Sequence, residues 1–142
     1  MEALNMHYTV DGNDFTLAGD CSSKVKKLLN QLGFNPAVVR KTAIAMYEGE
    51  INMVIHANGG HIDVSIEPNK ITAKLCDNGP GIADIEKAMQ EGYSTATNQV
   101  RELGFGAGMG LPNMKKYSDE MHIETKLGEG TTVTLVFYTN ND

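Results

Sequence analysis

The chain has 142 residues, 41% hydrophobic and 21% charged, which suits one globular domain able to bury about two-thirds of its unfolded surface. Twelve basic against 18 acidic residues leave a formal charge of −6, which opposes nonspecific attraction to nucleic acid or to an anionic membrane. No apolar run reaches the roughly 18 residues a membrane helix needs, and the N-terminus lacks the order of a secretory signal. The expectation is a cytoplasmic protein with no direct nucleic-acid or membrane partner. Cys21 and Cys76 stand in no metal-ligand or redox spacing, so they read as buried free thiols. The 15 glycines cluster between Gly79 and Gly130, and that clustering is the first pointer to function.

There is no internal repeat, low-complexity tract or linker, so 1–142 reads as a single domain with a frayed tail over 139–142. Residues 6–17 read as a short hairpin around Asp11-Gly12-Asn13-Asp14, with Tyr8, Val10, Phe15 and Leu17 on its flanks. From about Asp20 the spacing turns helical: Val25, Leu28, Leu29 and Leu32 share a face, and Gly33 suits a left-handed C-cap. A second helix follows, capped by Asn35 with Pro36 in its first turn. Val39, Ile44, Tyr47, Ile51 and Ile55 form its apolar stripe, and Asn58-Gly59-Gly60 ends it. Two alternating strands come next, one carrying Ile62, Val64 and Ile66 and the other Ile71, Ala73 and Leu75, joined by a turn at Pro68-Asn69-Lys70. A short helix over 83–90, a polar glycine-containing stretch to 110 and a short helix over 111–118 lead into strands over 121–126 and 131–138, linked by Gly128-Glu129-Gly130. This order predicts a two-layer α/β sandwich of the α+β kind, an antiparallel or mixed sheet with helices packed on one face, and not a Rossmann alternation.

Glu48 and Asn52, four residues apart, share one helix face at the edge of the apolar stripe, where a carboxylate needs a partner. A plain ion pair with a nearby Lys or Arg would explain Glu48 equally well. His56 extends the same edge; His7, His56, His61 and His122 show no metal spacing and read as surface or hydrogen-bonding residues. Asp77-Asn78-Gly79-Pro80-Gly81-Ile82 directly follows a strand. By strand parity Asp77 points to the buried face, where a purine amino group would be a suitable donor and the glycines would admit a flat ring. Taken alone, an ordinary turn explains this segment better. Gly104-Phe105-Gly106-Ala107-Gly108-Met109-Gly110-Leu111 opens a helix, so its backbone N–H groups and the helix dipole make an anion site compatible with a triphosphate. No Gly-Lys-Ser/Thr follows, which excludes a Walker A loop, and no parallel strand leads in, which excludes a dinucleotide fingerprint. Gly128-Glu129-Gly130-Thr131-Thr132 is by itself only a turn into the last strand.

Singly these elements are weak, but their joint order and spacing are not. From Glu48 to Thr132 they resemble the N box, two glycine boxes and Gly-Thr box of the GHKL superfamily, the Bergerat ATP-binding fold of gyrase, Hsp90, histidine kinases and MutL. Within it the chain looks most like the bacterial anti-sigma-factor serine kinases and the switch kinases of the stressosome. Glu48 four residues before Asn52, His56 four after it, and Glu91-Gly92-Tyr93-Ser94-Thr95 ahead of Gly108-Met109-Gly110-Leu111-Pro112 carry that likeness. The Tyr-Ser-Thr and Gly-Leu-Pro pieces favour the switch-kinase branch.

The resemblance implies an ATP- and Mg²⁺-dependent protein-serine kinase. Asn52 would be the Mg²⁺ ligand and Glu48 the general base that takes a proton from a protein serine as it attacks the γ-phosphoryl group. Asp77 would bind the adenine amino group; Gly79, Gly81 and Ile82 would line the purine pocket, and Thr131 would lie near adenine. Gly106, Gly108, Met109, Gly110 and Leu111 would hold the phosphates, beneath a lid over 93–110. The implied partner is a small regulatory protein, a STAS-type antagonist or a sigma factor, and the resemblance admits a homodimer. Two features depart from the pattern: the additional stretch over 96–105, and Gly106 or Ala107 where anti-sigma kinases hold a basic residue. Arg101, Lys115 or Lys116 would have to supply that charge. The alternative function is an ATP-gated protein-binding module with little or no catalysis. A histidine-kinase catalytic domain fits less well, because only about 35 residues precede the N-box helix.

Overall fold

The computed structural model describes residues 3–11, 19–56, 59–79 and 110–139. In chain order they form β1 (Leu4–Asp11), α1 (Asp20–Gln31), α2 (Pro36–His56), β2 (Gly59–Ile66), β3 (Lys70–Asp77), α3 (Gly110–Tyr117), β4 (Glu120–Lys126) and β5 (Gly130–Tyr138). The five strands make one sheet in the order β1-β2-β3-β5-β4, antiparallel at every pairing. The sheet is therefore α+β as expected, and purely antiparallel rather than mixed.

Period-two alternation sets the layers. Ile62, Val64 and Ile66 of β2, Ile71, Ala73 and Leu75 of β3, and Val133, Leu135 and Phe137 of β5 are all buried, and α2 packs across them. The intervening residues are half-buried or exposed, as on a sheet with one solvated face. Charge and polarity collect on the edges: β4 reads Glu-Met-His-Ile-Glu-Thr-Lys and takes the edge beside β5, a placement that discourages pairing with another strand. β1 is the other edge. Its inward residues Tyr8 and Val10 lie opposite Ile62 and Gly60, so the first arm of the expected hairpin pairs with β2. The turn and second arm of that hairpin, 12–17, lie outside the described residues, as do the expected helix over 83–90 and the glycine loop up to 109.

Both helix junctions follow their local chemistry. Gly33 adopts φ 81°, its N–H donates to Asn30 O (3.1 Å) and Phe34 N–H reaches Leu29 O (3.2 Å), the paired bonds that close a helix through a left-handed glycine. Asn35 Oδ1 then accepts the Ala37 N–H at 2.8 Å and caps α2 with Pro36 at its first position. The buried side of α2 differs from the expected stripe. Val38, Val39, Thr42, Ala45, Met46, Glu50, Ile51, Met53 and Val54 are buried, whereas Tyr47 is 41% exposed and Ile44 and Ile55 are half-buried. The reason is that α2 is covered on three sides, by the sheet, α1 and α3, so burial extends well beyond one helical stripe.

Two other expectations change. Thr139, counted from sequence with the frayed tail, is buried; its N–H donates to Asn69 O and its hydroxyl to Pro68 O in the β2–β3 turn. Cys21 is buried and its thiol is pushed up to about 12, chiefly by burial and then by the charges of Glu50 and Asp20. Cys76 is only half-buried.

Candidate active site

The site forms where α2 crosses the C-terminal half of β3. Gly49 sits at that crossing: a Cβ added there would lie 2.4 Å from Leu75 Cδ2 and 2.9 Å from Met114 Cε, so a larger residue would have to displace the ends of both side chains. One turn further on, Met53 lies against Gly60, and Gly60 is the register partner of Asp77. Glu48 and Asn52, flanking these contacts on α2, are thereby brought to the end of the strand that carries Asp77.

Asp77 is clamped in place. Its Oδ1 accepts the Gly79 N–H at 2.9 Å and the Thr131 N–H at 3.1 Å, because the sheet order sets β5 beside β3 with Cys76 opposite Thr132. Gly130 makes the approach feasible, with φ 114° and an added Cβ only 2.1 Å from the Asp77 carbonyl oxygen. Thr131 is buried and its hydroxyl lies 2.9 Å from that of Thr125 on β4. Both backbone donors fall on Oδ1, and Oδ2 receives no described hydrogen bond, which leaves an acceptor of fixed direction beside the buried backbone of Gly79.

Glu48 is half-buried. Burial pushes its carboxyl above the usual range, and a hydrogen bond from Asn113 Nδ2 at 3.4 Å partly opposes that shift. Raised basicity of this kind suits a proton acceptor. The ion pair with Lys or Arg that would have explained Glu48 structurally is absent among the described residues. Asn52 is half-buried with no described hydrogen-bond partner. Among the described residues no cluster of His, Cys, Asp or Glu could hold a metal by itself. A single amide oxygen beside a phosphate-bearing ligand nevertheless fits Mg²⁺, which takes few protein ligands and completes its shell with phosphate oxygens and water.

α3 begins at Gly110, next to the glycine loop. Leu111, expected to meet the nucleotide, puts its side chain into the core (8% exposed), so what it can offer an anion is its N–H in the first helical turn. Lys115 and Lys116 are exposed at the far end of α3. Gly81, Ile82, Gly106, Gly108, Met109 and Arg101 lie outside the described residues.

Three residues emerge only from the structure. Asn113 is the partner of Glu48, and Thr125 holds Thr131. Glu50, 2% exposed, accepts the N–H groups of Gly19 (2.9 Å), Cys21 (3.1 Å) and Ser22 (3.0 Å) and so caps α1 from another helix. No local pattern marks it, since its donors lie 28 to 31 residues away in sequence.

This geometry agrees with comparison to known proteins. Residues 45–141 match the family model described as histidine kinase-, DNA gyrase B-, and HSP90-like ATPase. An anti-sigma F factor of Thermoanaerobacter sp. (strain X514) is 37% identical over 107 residues, 72% of this chain and 70% of that protein. The serine/threonine-protein kinase RsbT of Bacillus subtilis (strain 168) is 31% identical over 115 residues, covering 78% of this chain and 80% of its own length. The crystal structure of the RsbU and RsbW domains of Rv1364c from Mycobacterium tuberculosis superposes with a TM-score of 0.62 at 18% identity, over 97% of this chain and 33% of that one, and shows the shared fold. Motif order, site geometry and sequence similarity converge: the chain belongs to the family of histidine kinase-, DNA gyrase B- and HSP90-like ATPases.

Proposed function

We propose that this protein is an ATP-dependent protein-serine kinase of the anti-sigma and partner-switching type, which binds a small STAS-type regulatory partner and phosphorylates a serine on it. The observation that carries the reading is the Asp77 clamp, in which one carboxylate oxygen is fixed by two backbone N–H groups and the other is left as an acceptor. An adenine amino group donates to such an acceptor, while guanine presents a carbonyl oxygen at the same place and is rejected. Relatives named as an anti-sigma F factor and a serine/threonine-protein kinase support the same assignment.

On this reading Asn52 contributes its side-chain oxygen to Mg²⁺, which supplies charge neutralisation at the phosphates when bound. Glu48 accepts the proton of the partner's serine hydroxyl as the serine oxygen bonds to the γ-phosphorus and the bond to the bridging oxygen breaks. The first-turn amides of α3 face the phosphates, with Pro112 lacking an N–H where α3 needs none. A newly phosphorylated partner is repelled by a protein of charge −6, which favours release. The reading puts the protein in the cytoplasm, where the free Cys21 and Cys76 would stay reduced, and it admits a homodimer.

Thermal unfolding with Mg²⁺-ATP, Mg²⁺-ADP and Mg²⁺-GTP tests the site, since a ligand selective for the fold raises its stability. Adenine nucleotides are expected to raise Tm, GTP is not, and Asp77→Asn and Asn52→Ala are expected to weaken the effect. No shift at millimolar ATP overturns the reading. Stabilisation by ATP without any phosphate transfer to a serine would instead identify an ATP-gated binding module.

A further inference from the structure

Asn113 lies on α3 three residues after Gly110, and its Nδ2 donates to Glu48 Oε1 at 3.4 Å across 65 residues of sequence. The assignment of the amide nitrogen as donor follows from the carboxylate, which only accepts when ionised. The contact is built by its surroundings. Leu111 and Met114, on either side of Asn113, are 8% and 1% exposed, and Met114 seats against Gly49, the residue after Glu48. The docking of α3 on α2 is thus fixed at the position where Asn113 meets Glu48.

We propose that Asn113 is a positioning residue for the proton acceptor Glu48, holding one carboxylate oxygen so that the other is left for the incoming serine hydroxyl. The inference rests on the reading of Glu48 as the general base. An amide suits this task, because it donates at every pH and never takes the proton itself. Among the described residues its effect is not masked by other charges: burial and the Asn113 hydrogen bond are the two influences on Glu48. Glu50 on the same helix, Asp77 on β3, and Lys115 and Lys116 on α3 contribute no charge effect to it. The bond is long, as catalytic hydrogen bonds commonly are before substrate draws the groups together.

The test is carboxyl ¹³C NMR titration of the full chain carrying ¹³Cδ-glutamate, with the Glu48 signal identified by its loss in Glu48→Gln. In Asn113→Leu, which keeps the volume and removes the donor, the Glu48 midpoint is expected to rise by about half a pH unit or more. Asn113→Asp is expected to raise it further by placing a like charge alongside, and Asn113→Gln, which keeps a donor, to restore most of the wild-type value. A midpoint in both Asn113→Leu and Asn113→Asp that coincides with wild type overturns the inference and leaves the kinase reading untouched. Mg²⁺-ATP affinity, measured on the same samples, separates the two ideas. Equal affinity in wild type and Asn113→Leu supports a role confined to the base, whereas no ATP binding by wild type overturns the proposed function and Asn113's part in it together.

Discussion

Among the described residues Glu48 has no counter-charge and accepts a hydrogen bond from Asn113 that holds it without neutralising it, the combination that the proposed base requires. Glu48→Gln is expected to lower phosphoryl transfer by about 10²- to 10⁴-fold while leaving Mg²⁺-ATP affinity unchanged, as measured by radiolabel transfer and calorimetry. The same substitution has a stability signature. Because burial raises the folded-state pKa of Glu48, the fold binds this proton more tightly than the unfolded chain. Stability then falls as pH rises from the unfolded value through the folded one, and the penalty persists above it. Urea unfolding should find Glu48→Gln more stable than wild type at pH 7 and indistinguishable from it near pH 3. Gly130 is the second decisive residue. In Gly130→Ala the new Cβ meets backbone, the Asp77 carbonyl oxygen at 2.1 Å, at φ 114°, so no side chain can yield. A loss of about 2–4 kcal/mol is expected, together with loss of the ATP-induced rise in Tm.

At the scale of elements, α2 organises the site because three different neighbours meet it. Its Gly49 face receives β3 and α3, while Glu50 reaches out of the same turn to the start of α1. Gly19, in a left-handed conformation at φ 95°, offers α1 no side-chain cap of its own. Glu50 therefore supplies both the acceptors and the negative charge that a helix start favours. Glu50→Leu leaves buried donors unpaired at about 1–3 kcal/mol each, so a loss of roughly 3 kcal/mol or more is expected in urea unfolding. Glu50→Gln, which keeps one acceptor oxygen, is expected to lose less.

Across the whole molecule, Lys41 and Asp119 tie the front of α2 to the sheet. Lys41 Nζ lies 2.8 Å from Asp119 Oδ2, which also accepts the Tyr138 N–H at 2.7 Å. Burial alone would push Asp119 up, but the hydrogen bonds from Lys41 and Tyr138 and the Lys41 charge outweigh it and hold the carboxyl below its usual range. A lowered carboxylate adds stability above the unfolded-state pKa, and that stability is lost as pH falls through the folded-state value. The Asp119 side chain is 36% exposed, so screening limits the contribution to about 1 kcal/mol or less. Asp119→Asn is expected to flatten the stability profile below about pH 4, measured by denaturant unfolding from pH 2 to 7, with little change in ATP affinity.

Much of this architecture is local and was therefore legible in the chain. The Gly33 and Asn35 junction, the Pro68-Asn69 turn, and the alternation of Ile62, Val64, Ile66, Ile71, Ala73 and Leu75 depend on neighbours a few residues apart, where backbone preference and hydrophobic period decide the outcome. Strand parity puts Asp77 in the same alternation as the buried Ile71, Ala73 and Leu75, and the structure leaves it half-buried. The pairing of β3 with β5, the close seat of Gly49 and Gly130, the cap that Glu50 provides and the contact of Asn113 with Glu48 bring together groups dozens of residues apart, and no local preference encodes them. The core stripe of α2 was misplaced for the same reason: a helix covered on three sides shows no single apolar face for a 3.6-residue period to report. By itself the sequence determined the elements, the order of the motifs and the family they belong to, since these are properties of spacing along the chain. Only the tertiary structure decided which carboxylate is clamped, which is half-buried against an amide donor and which is a cap, because burial and hydrogen-bond partners are set by packing between distant segments.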